Sequence, residues 1–177
     1  ARLRESWPEL LLLLVPRHPE RFDGVAELCR QRGFSLTRRS EKRSCPAETT
    51  VFLGDSMGEL LQFYAAADLA FVGGSLVPTG GHNVLEPALL GLPALFGPHM
   101  FNFTEAGERL LQAGAAWPVG NAAELAIAVD RLLADPALRR NAGQRGRAVV
   151  EQHRGALAAL LRLIAGYASR DPARNPR

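Results

Sequence analysis

The sequence predicts an α/β domain built on a doubly wound parallel sheet. Three observations carry that expectation. Short apolar runs alternate with helical segments through most of the 177 residues, as successive β-α units of a parallel sheet do. The stretch Phe71 to Pro98, FVGGSLVPTGGHNVLEPALLGLPALFGP, joins an apolar run to a Gly-rich turn, a helix and a second apolar run. The most distinctive turns, after Val15, Leu53 and Val72, all fall at the carboxyl ends of predicted strands, where such sheets hold their ligands.

Taken in order, Ala1 to Trp7 reads as the end of a helix, which implies an earlier strand and a piece of a larger protein. Leu10–Val15 is apolar throughout and reads as a buried parallel strand ended by Pro16. Pro19 to Arg32 is a helix with Pro in its first turn and Gly33 at its stop. Ser35–Thr37 is a short strand, Arg38 to Glu48 a polar loop, and Thr49–Leu53 a β-branched strand. Ser56, with Glu59 three residues on, has capping-box spacing at the next helix start. Leu69–Val72 is a strand, His82 to Leu90 has helical character, and Gly91 and Pro93 stop it before the strand Ala94–Phe96. Asn102 with Glu105, and Asn121 with Glu124, repeat the capping-box spacing on either side of a last strand, Ala116–Val119. Leu125–Ala134, Pro136–His153 and Gly155–Ala168 read as consecutive helices. Residues 1–168 form the predicted domain, and 169–177 a disordered tail.

At this length one domain buries about 70% of its unfolded surface. Lys and Arg number 21 against 18 acidic residues, and a net charge of only +3 argues weakly for nucleic acid. A small anionic ligand or acidic lipid suits it better. Cys29 and Cys45 form no C-x-x-C pair and suggest a reducing compartment without a disulfide framework. No apolar run reaches the roughly 20 residues of a membrane span. The glycines match neither G-x-G-x-x-G nor a Walker motif, and Ser75 sits in no G-x-S-x-G elbow. Without H-E-x-x-H or a Cys/His cluster, neither a metal nor another cofactor is expected.

At Gly80-Gly81-His82-Asn83, glycines let backbone approach an anion and a helix start offers free N–H groups. A tight turn with Asn83 as a cap explains the glycines equally well. Glu86 tips the balance, because it shares a helix face with Asn83 and its carboxylate can accept two hydroxyls of a sugar. Arg17, where the first strand ends, can make a charge-assisted fork to a phosphate. His18 reads as a second donor or as a packing residue, and Arg21 as surface. On the same turn the capping box is enough to explain Ser56 and Glu59, while Met57 and Gly58 could floor a base pocket. Phe101 and Phe103 read as core, and Arg38-Arg39 with Lys42-Arg43 as a solvated loop or a phosphate-facing cluster.

With these residues in view, the chain resembles the C-terminal domain of the 3-deoxy-D-manno-octulosonic acid (Kdo) transferases of lipid A biosynthesis. LVPRHPERF, GDSMGELLQFYAAADLAFVGGSLVPTGGHNVLEP and GPHMFNF carry the resemblance over Leu14 to Phe103, and the helical remainder matches in pattern only. The resemblance implies a two-domain GT-B fold whose Rossmann-like C-terminal half binds the donor CMP-Kdo. It implies that Arg17, Gly80, Gly81, His82, Asn83 and Glu86 contact the CMP moiety, with Met57, Gly58 and Asn102 near the donor. In that family the catalytic base is a Glu of the N-terminal domain, so no catalytic residue is expected here. The acceptor surface and the anchor to the cytoplasmic face of the bacterial inner membrane also belong to the absent half.

The family's opening Ser-Thr-His strand has no counterpart, so the first β-α unit is expected to be truncated. Strands left unpaired would then be covered by oligomerisation or strand exchange. The expectation is the donor half of an inverting transferase moving Kdo to a lipid A precursor, soluble as this piece and without turnover alone. A UDP-sugar transferase or epimerase of GT-B type, or a non-catalytic nucleotide-binding or assembly module, are the competing readings.

Overall fold

The computed structural model describes residues 3–168, and side chains for residues 3–152. Six strands and seven α-helices follow one another in the expected alternation. They are α1 (Leu3–Ser6), β1 (Leu12–Leu14), α2 (Phe22–Gln31), β2 (Leu36–Arg38), β3 (Val51–Leu53) and α3 (Leu60–Ala65). Then come β4 (Ala70–Phe71), α4 (Leu85–Leu89), β5 (Ala94–Phe96), α5 (Thr104–Gln112), β6 (Ala116–Pro118), α6 (Ala122–Ala134) and α7 (Pro136–Ala168). The helix expected from Pro19 opens with a 3-10 turn, Pro19–Arg21, before α2.

All pairings are parallel, as buried β-α units require. The strands divide between two three-stranded sheets, ordered β1-β3-β2 and β4-β5-β6. Among the described residues nothing pairs β1 with β4, so each ends its sheet. That corrects the expectation that Leu10–Val15 is buried. Leu12 is 51% exposed, and Phe71 on β4 is 37% exposed, because each lines an unpaired edge.

The second sheet is covered on both faces, and alternation along β5 shows how. Ala94 and Phe96 point into a cluster with Val84 and Ala88 around α4, Leu110 of α5 and Val150 of α7. Leu95 points the opposite way, to Val129 and Leu132 of α6 and the partly buried Leu3 of α1. This double coverage is the doubly wound arrangement the sequence predicts.

Helix ends follow local chemistry where nothing competes. Asn121 Oδ1 accepts from the Ala123 and Glu124 amides at 2.9 and 3.0 Å and so caps α6, while Glu124 accepts from the Gly120 amide at 2.7 Å, one residue before the position a capping box would use. Asp135 then accepts from the Leu138 amide at 2.8 Å to start α7, while Arg139 donates to the carbonyls of Leu132 and Leu133 that end α6. The two helices expected at Pro136–His153 and Gly155–Ala168 are one, since an interior Gly costs only about 1 kcal/mol. α7 lies hard against α4: a Cβ on Gly143 would come within 1.8 Å of the Gly91 carbonyl oxygen. The predicted tail at 169–177 falls outside the described residues.

Candidate functional site

Four strand-end turns gather at the carboxyl edge of the sheets. They follow β1 (Val15 to His18), β3 (Gly54 to Glu59), β4 (Gly73 to Asn83) and β5 (Gly97 to Asn102). The loop after β4 is held by its own backbone. The Gly81 amide donates to the Gly74 carbonyl at 3.0 Å, and Thr79 Oγ1 donates to the same oxygen at 2.8 Å. Gly74, Gly80 and Gly81 have φ of +70°, +92° and +71°, a region costly for any residue with a Cβ.

Close approach makes the Gly80-Gly81 pair necessary as well. A Cβ at Gly80 would stand 2.2 Å from the Asn102 amide nitrogen, and one at Gly81 would stand 2.4 Å from Met100 Sδ. The Asn102 backbone amide donates to the Gly80 carbonyl at 3.2 Å, so the loops after β4 and β5 close on each other. Behind them, buried Ser75 donates its hydroxyl to the Val72 carbonyl at 2.6 Å and accepts from the Gly97 amide at 2.8 Å. Sequence reasoning assigned Ser75 no role, and its only signal was a hydroxyl among glycines.

Asn83 and Glu86 form one unit. Asn83 Oδ1 accepts from the Leu85 amide at 3.0 Å, while its Nδ2 donates to Glu86 Oε1 at 3.1 Å. The amide is thus fixed at both ends and orients the carboxylate, leaving Oε2 without a side-chain donor among the described residues. α4 begins at Leu85 and has five residues, shorter than the His82–Leu90 helix the sequence suggests. With so few aligned peptides its dipole adds little, and Arg17 is left as the stronger charge for an anion.

Arg17 reaches across from β1. Its Nη1 donates to His82 Nδ1 at 3.2 Å, joining a turn of the first sheet to a turn of the second. The His82 ring lies over Gly73 and Gly74, whose missing side chains leave that space open. Burial, helped by Arg17 and His18 against the opposing Glu86, holds the imidazole below its usual pKa. His82 is therefore neutral near pH 7 and able to accept from Arg17. His18 itself turns toward Glu20 at 3.7 Å.

α3 packs against α4 and brings Tyr64 near Glu86. Burial, with the Glu86 charge, pushes the Tyr64 phenol up to about 12. Sequence reasoning missed Tyr64, because only packing of α3 on α4 reveals the proximity.

Arg17, Gly80, Gly81, His82, Asn83, Glu86 and Asn102 thus meet, directly or through one neighbour. Met57 and Gly58 lie on the turn after β3, where among the described residues no hydrogen bond ties them to these residues, and Met57 is 66% exposed. Three expectations are corrected. Ser56 and Glu59 form no capping box: α3 starts at Leu60, and Ser56 Oγ donates to the Glu59 side chain, which also takes Arg39. Asn102 and Glu105 form none either, since Asn102 is drawn to the Thr79 carbonyl and Glu105 pairs with Arg109. Phe103 packs on the core, but Phe101 is 63% exposed with its ring edge at Gly80. A separate concavity bordered by Asp68, Gly91, Pro93 and Arg139 lies at the opposite, amino end of β4 and β5, and Arg139 is consumed there by helix carbonyls and Asp68.

Among the described residues no helix is long and apolar enough to cross a membrane. The family described as "Glycosyl transferases group 1" matches residues 31–149. A 3-deoxy-D-manno-octulosonic acid transferase of Haemophilus influenzae is 45% identical over 170 residues, covering 96% of this chain and 40% of that protein. Its counterpart in Bordetella pertussis is 41% identical over 154 residues, covering 86% of this chain and 36% of the relative. The chain therefore spans well under half the length of these relatives. The crystal structure of the C-terminal CMP-Kdo binding domain of WaaA from Acinetobacter baumannii superposes with a TM-score of 0.74 at 31% identity. The match covers 84% of this chain and 94% of that one.

Proposed function

The chain belongs to the group 1 glycosyl transferases and, within them, to the Kdo transferases, and on that premise we propose that it is the donor-binding half of an inverting enzyme. The donor is CMP-Kdo, and the acceptor a lipid A precursor engaged by a domain outside this chain. The whole enzyme works at the cytoplasmic face of the inner membrane, and this piece binds nucleotide without turnover. One observation carries the reading: the Arg17 guanidinium bonds His82 just after the Gly80-Gly81 turn, and the Asn83-oriented Glu86 carboxylate is close enough to be felt by the same imidazole.

The division of labour follows from charge. A departing CMP gains negative charge on its phosphate, and a fixed guanidinium answers that charge at little reorganisation cost. Arg17 supplies it, held at His82 beside the Gly80-Gly81 turn. Glu86, one oxygen held by Asn83, accepts ribose hydroxyls on the other. Met57, Gly58 and Asn102 complete the donor's surroundings. The base that activates the acceptor hydroxyl lies in the other domain.

Titration calorimetry tests the reading. The chain should bind CMP more tightly than UDP, and Arg17→Ala and Glu86→Ala should each weaken CMP by about tenfold, or about 1.4 kcal/mol. Tighter binding of UDP would turn the assignment toward UDP-sugar enzymes. Unchanged CMP affinity in both variants would remove these residues from the site.

A further inference from the structure

We propose that the first half of α7, flanked by arginines, is a docking surface for an anionic lipid bilayer. The inference stands independently of the nucleotide reading above. It starts from where charge lies along the chain. Residues 136–177 hold nine Arg against two acidic residues, whereas residues 1–135 hold twelve Lys and Arg against sixteen. The modest net charge of +3 thus hides a split of +7 against −4. Such asymmetry is the footprint of a surface that meets a polyanion or a membrane.

The fold shapes that stretch. Ala142, Gly143, Gly146 and Val150 are the buried side of α7, with Gly143 hard against Gly91 and Gly146 against Ala88 and Ala115. On the opposite crest Asn141, Gln144 and Ala148 are exposed and uncharged. Arg140 and Arg147, two turns apart, share one flank of the helix, and Arg145 stands on the other. Arg147 lies beside Gly91, where its Nε donates to the Leu89 carbonyl at 3.3 Å, and Arg145 lies beside Gly114. Those glycines precede β5 and β6, so the arginines stand at the amino edge of the second sheet. Arg17, His82 and Glu86 belong to the carboxyl edge. Arg139 is spent on Asp68 and on the carbonyls ending α6, but among the described residues Arg140 and Arg145 have no acidic partner.

A helix with a neutral crest and guanidinium groups on both flanks fits a flat anionic surface. The crest can approach the headgroups while arginine forks reach phosphodiesters on either side. The convex crest, with no aromatic side chain from 136 to 152 to stack a base, suits a plane of headgroups better than a nucleic-acid strand. Docking by this edge leaves the carboxyl edge open to solvent.

The test is sedimentation of the 177-residue chain with phosphatidylcholine vesicles, with and without about one-third phosphatidylglycerol. Partitioning should be at least about tenfold stronger with phosphatidylglycerol, and should fall away as salt rises to about 0.5 M. Arg140→Gln combined with Arg145→Gln should weaken it about tenfold. Arg30→Gln combined with Arg32→Gln removes the same charge near the end of α2 and should stay within about twofold of wild type. Melting temperature and CMP affinity should match wild type in both double variants. Equal binding to the two vesicles, binding to neither, equal losses in the two double variants, or no loss in the Arg140 and Arg145 pair would each overturn the proposal. Binding of a DNA duplex without binding of the vesicles would also overturn it, and would assign the surface to nucleic acid.

Discussion

The two halves of the carboxyl edge are built by different chemistry. On the first sheet the turn after β3 is held by charges: Arg38 and Ser40 on Asp55, Arg39 on Glu59. On the second, the turns after β4 and β5 are held by backbone contact made possible by glycine, with Gly80 against Asn102, Gly81 against Met100 and Gly97 against Ser75. Charged clamps tolerate some movement and respond to pH. Glycine contacts tolerate no added atom and are indifferent to it. Across the seam stands Arg17–His82 at 3.2 Å. Where a ligand's anion must come close to backbone, glycine suits; where a turn must be aimed, paired side chains suit.

The comparison breaks most visibly at Gly97. A Cβ there would meet the Ser75 carbonyl oxygen at 2.2 Å, so Gly97→Ala should cost about 3 kcal/mol or more in urea unfolding. A loss under about 1 kcal/mol would show that the glycine half gives way as easily as the charged one.

Next comes Asp55→Asn, with an expected loss of about 2–3 kcal/mol at pH 7, since it strips charge from a buried acceptor with three donors. The sign with pH is fixed by the lowered folded-state value. Asp55's contribution is fully present above its ordinary value of 3.8 and disappears as pH falls through the lower folded one. Wild type and variant should therefore converge below that pH, and a gap that stays constant down to pH 2 would contradict the clamp.

Ser75→Ala follows, at about 1–2 kcal/mol, because it leaves the buried Gly97 amide without its acceptor. Unlike the Asp55 difference, this one should not vary with pH. The seam gives the smallest effect. Because His82 is held neutral in the fold, wild type should lose a little stability as pH falls below the ordinary value of 6.5, where the unfolded imidazole takes up a proton first. His82→Asn keeps an acceptor for Arg17 and should lack that slope, so parallel melting curves for the two proteins from pH 7.5 to 5 would count against a buried neutral imidazole.

Much of this was legible along the chain. The alternation of elements, the stop at Gly91 and the Asn121 cap all depend on residues within a few positions of one another, and each forms as read. The capping boxes at Ser56 and Asn102 share the same spacing yet fail, because distant partners compete for the side chains: Arg39 takes Glu59, and Gly80 and Thr79 engage Asn102. Arg38-Arg39 resembled a loose basic loop for the same reason. Their carboxylates lie 17 and 20 residues away and arrive only when β2 pairs with β3.

By itself the sequence determined the parallel α/β class, the order of its units and the Gly-rich turn ahead of Glu86, since periodicity and turn chemistry are local properties of the chain. Tertiary structure decided the rest. It split the strands between two sheets, let His82 hold Arg17 across 65 residues and set Tyr64 beside Glu86. It also turned four surface-like charges into a frame. Such contacts depend on which strands become neighbours, and that choice is made by burial over the whole domain rather than by any one segment.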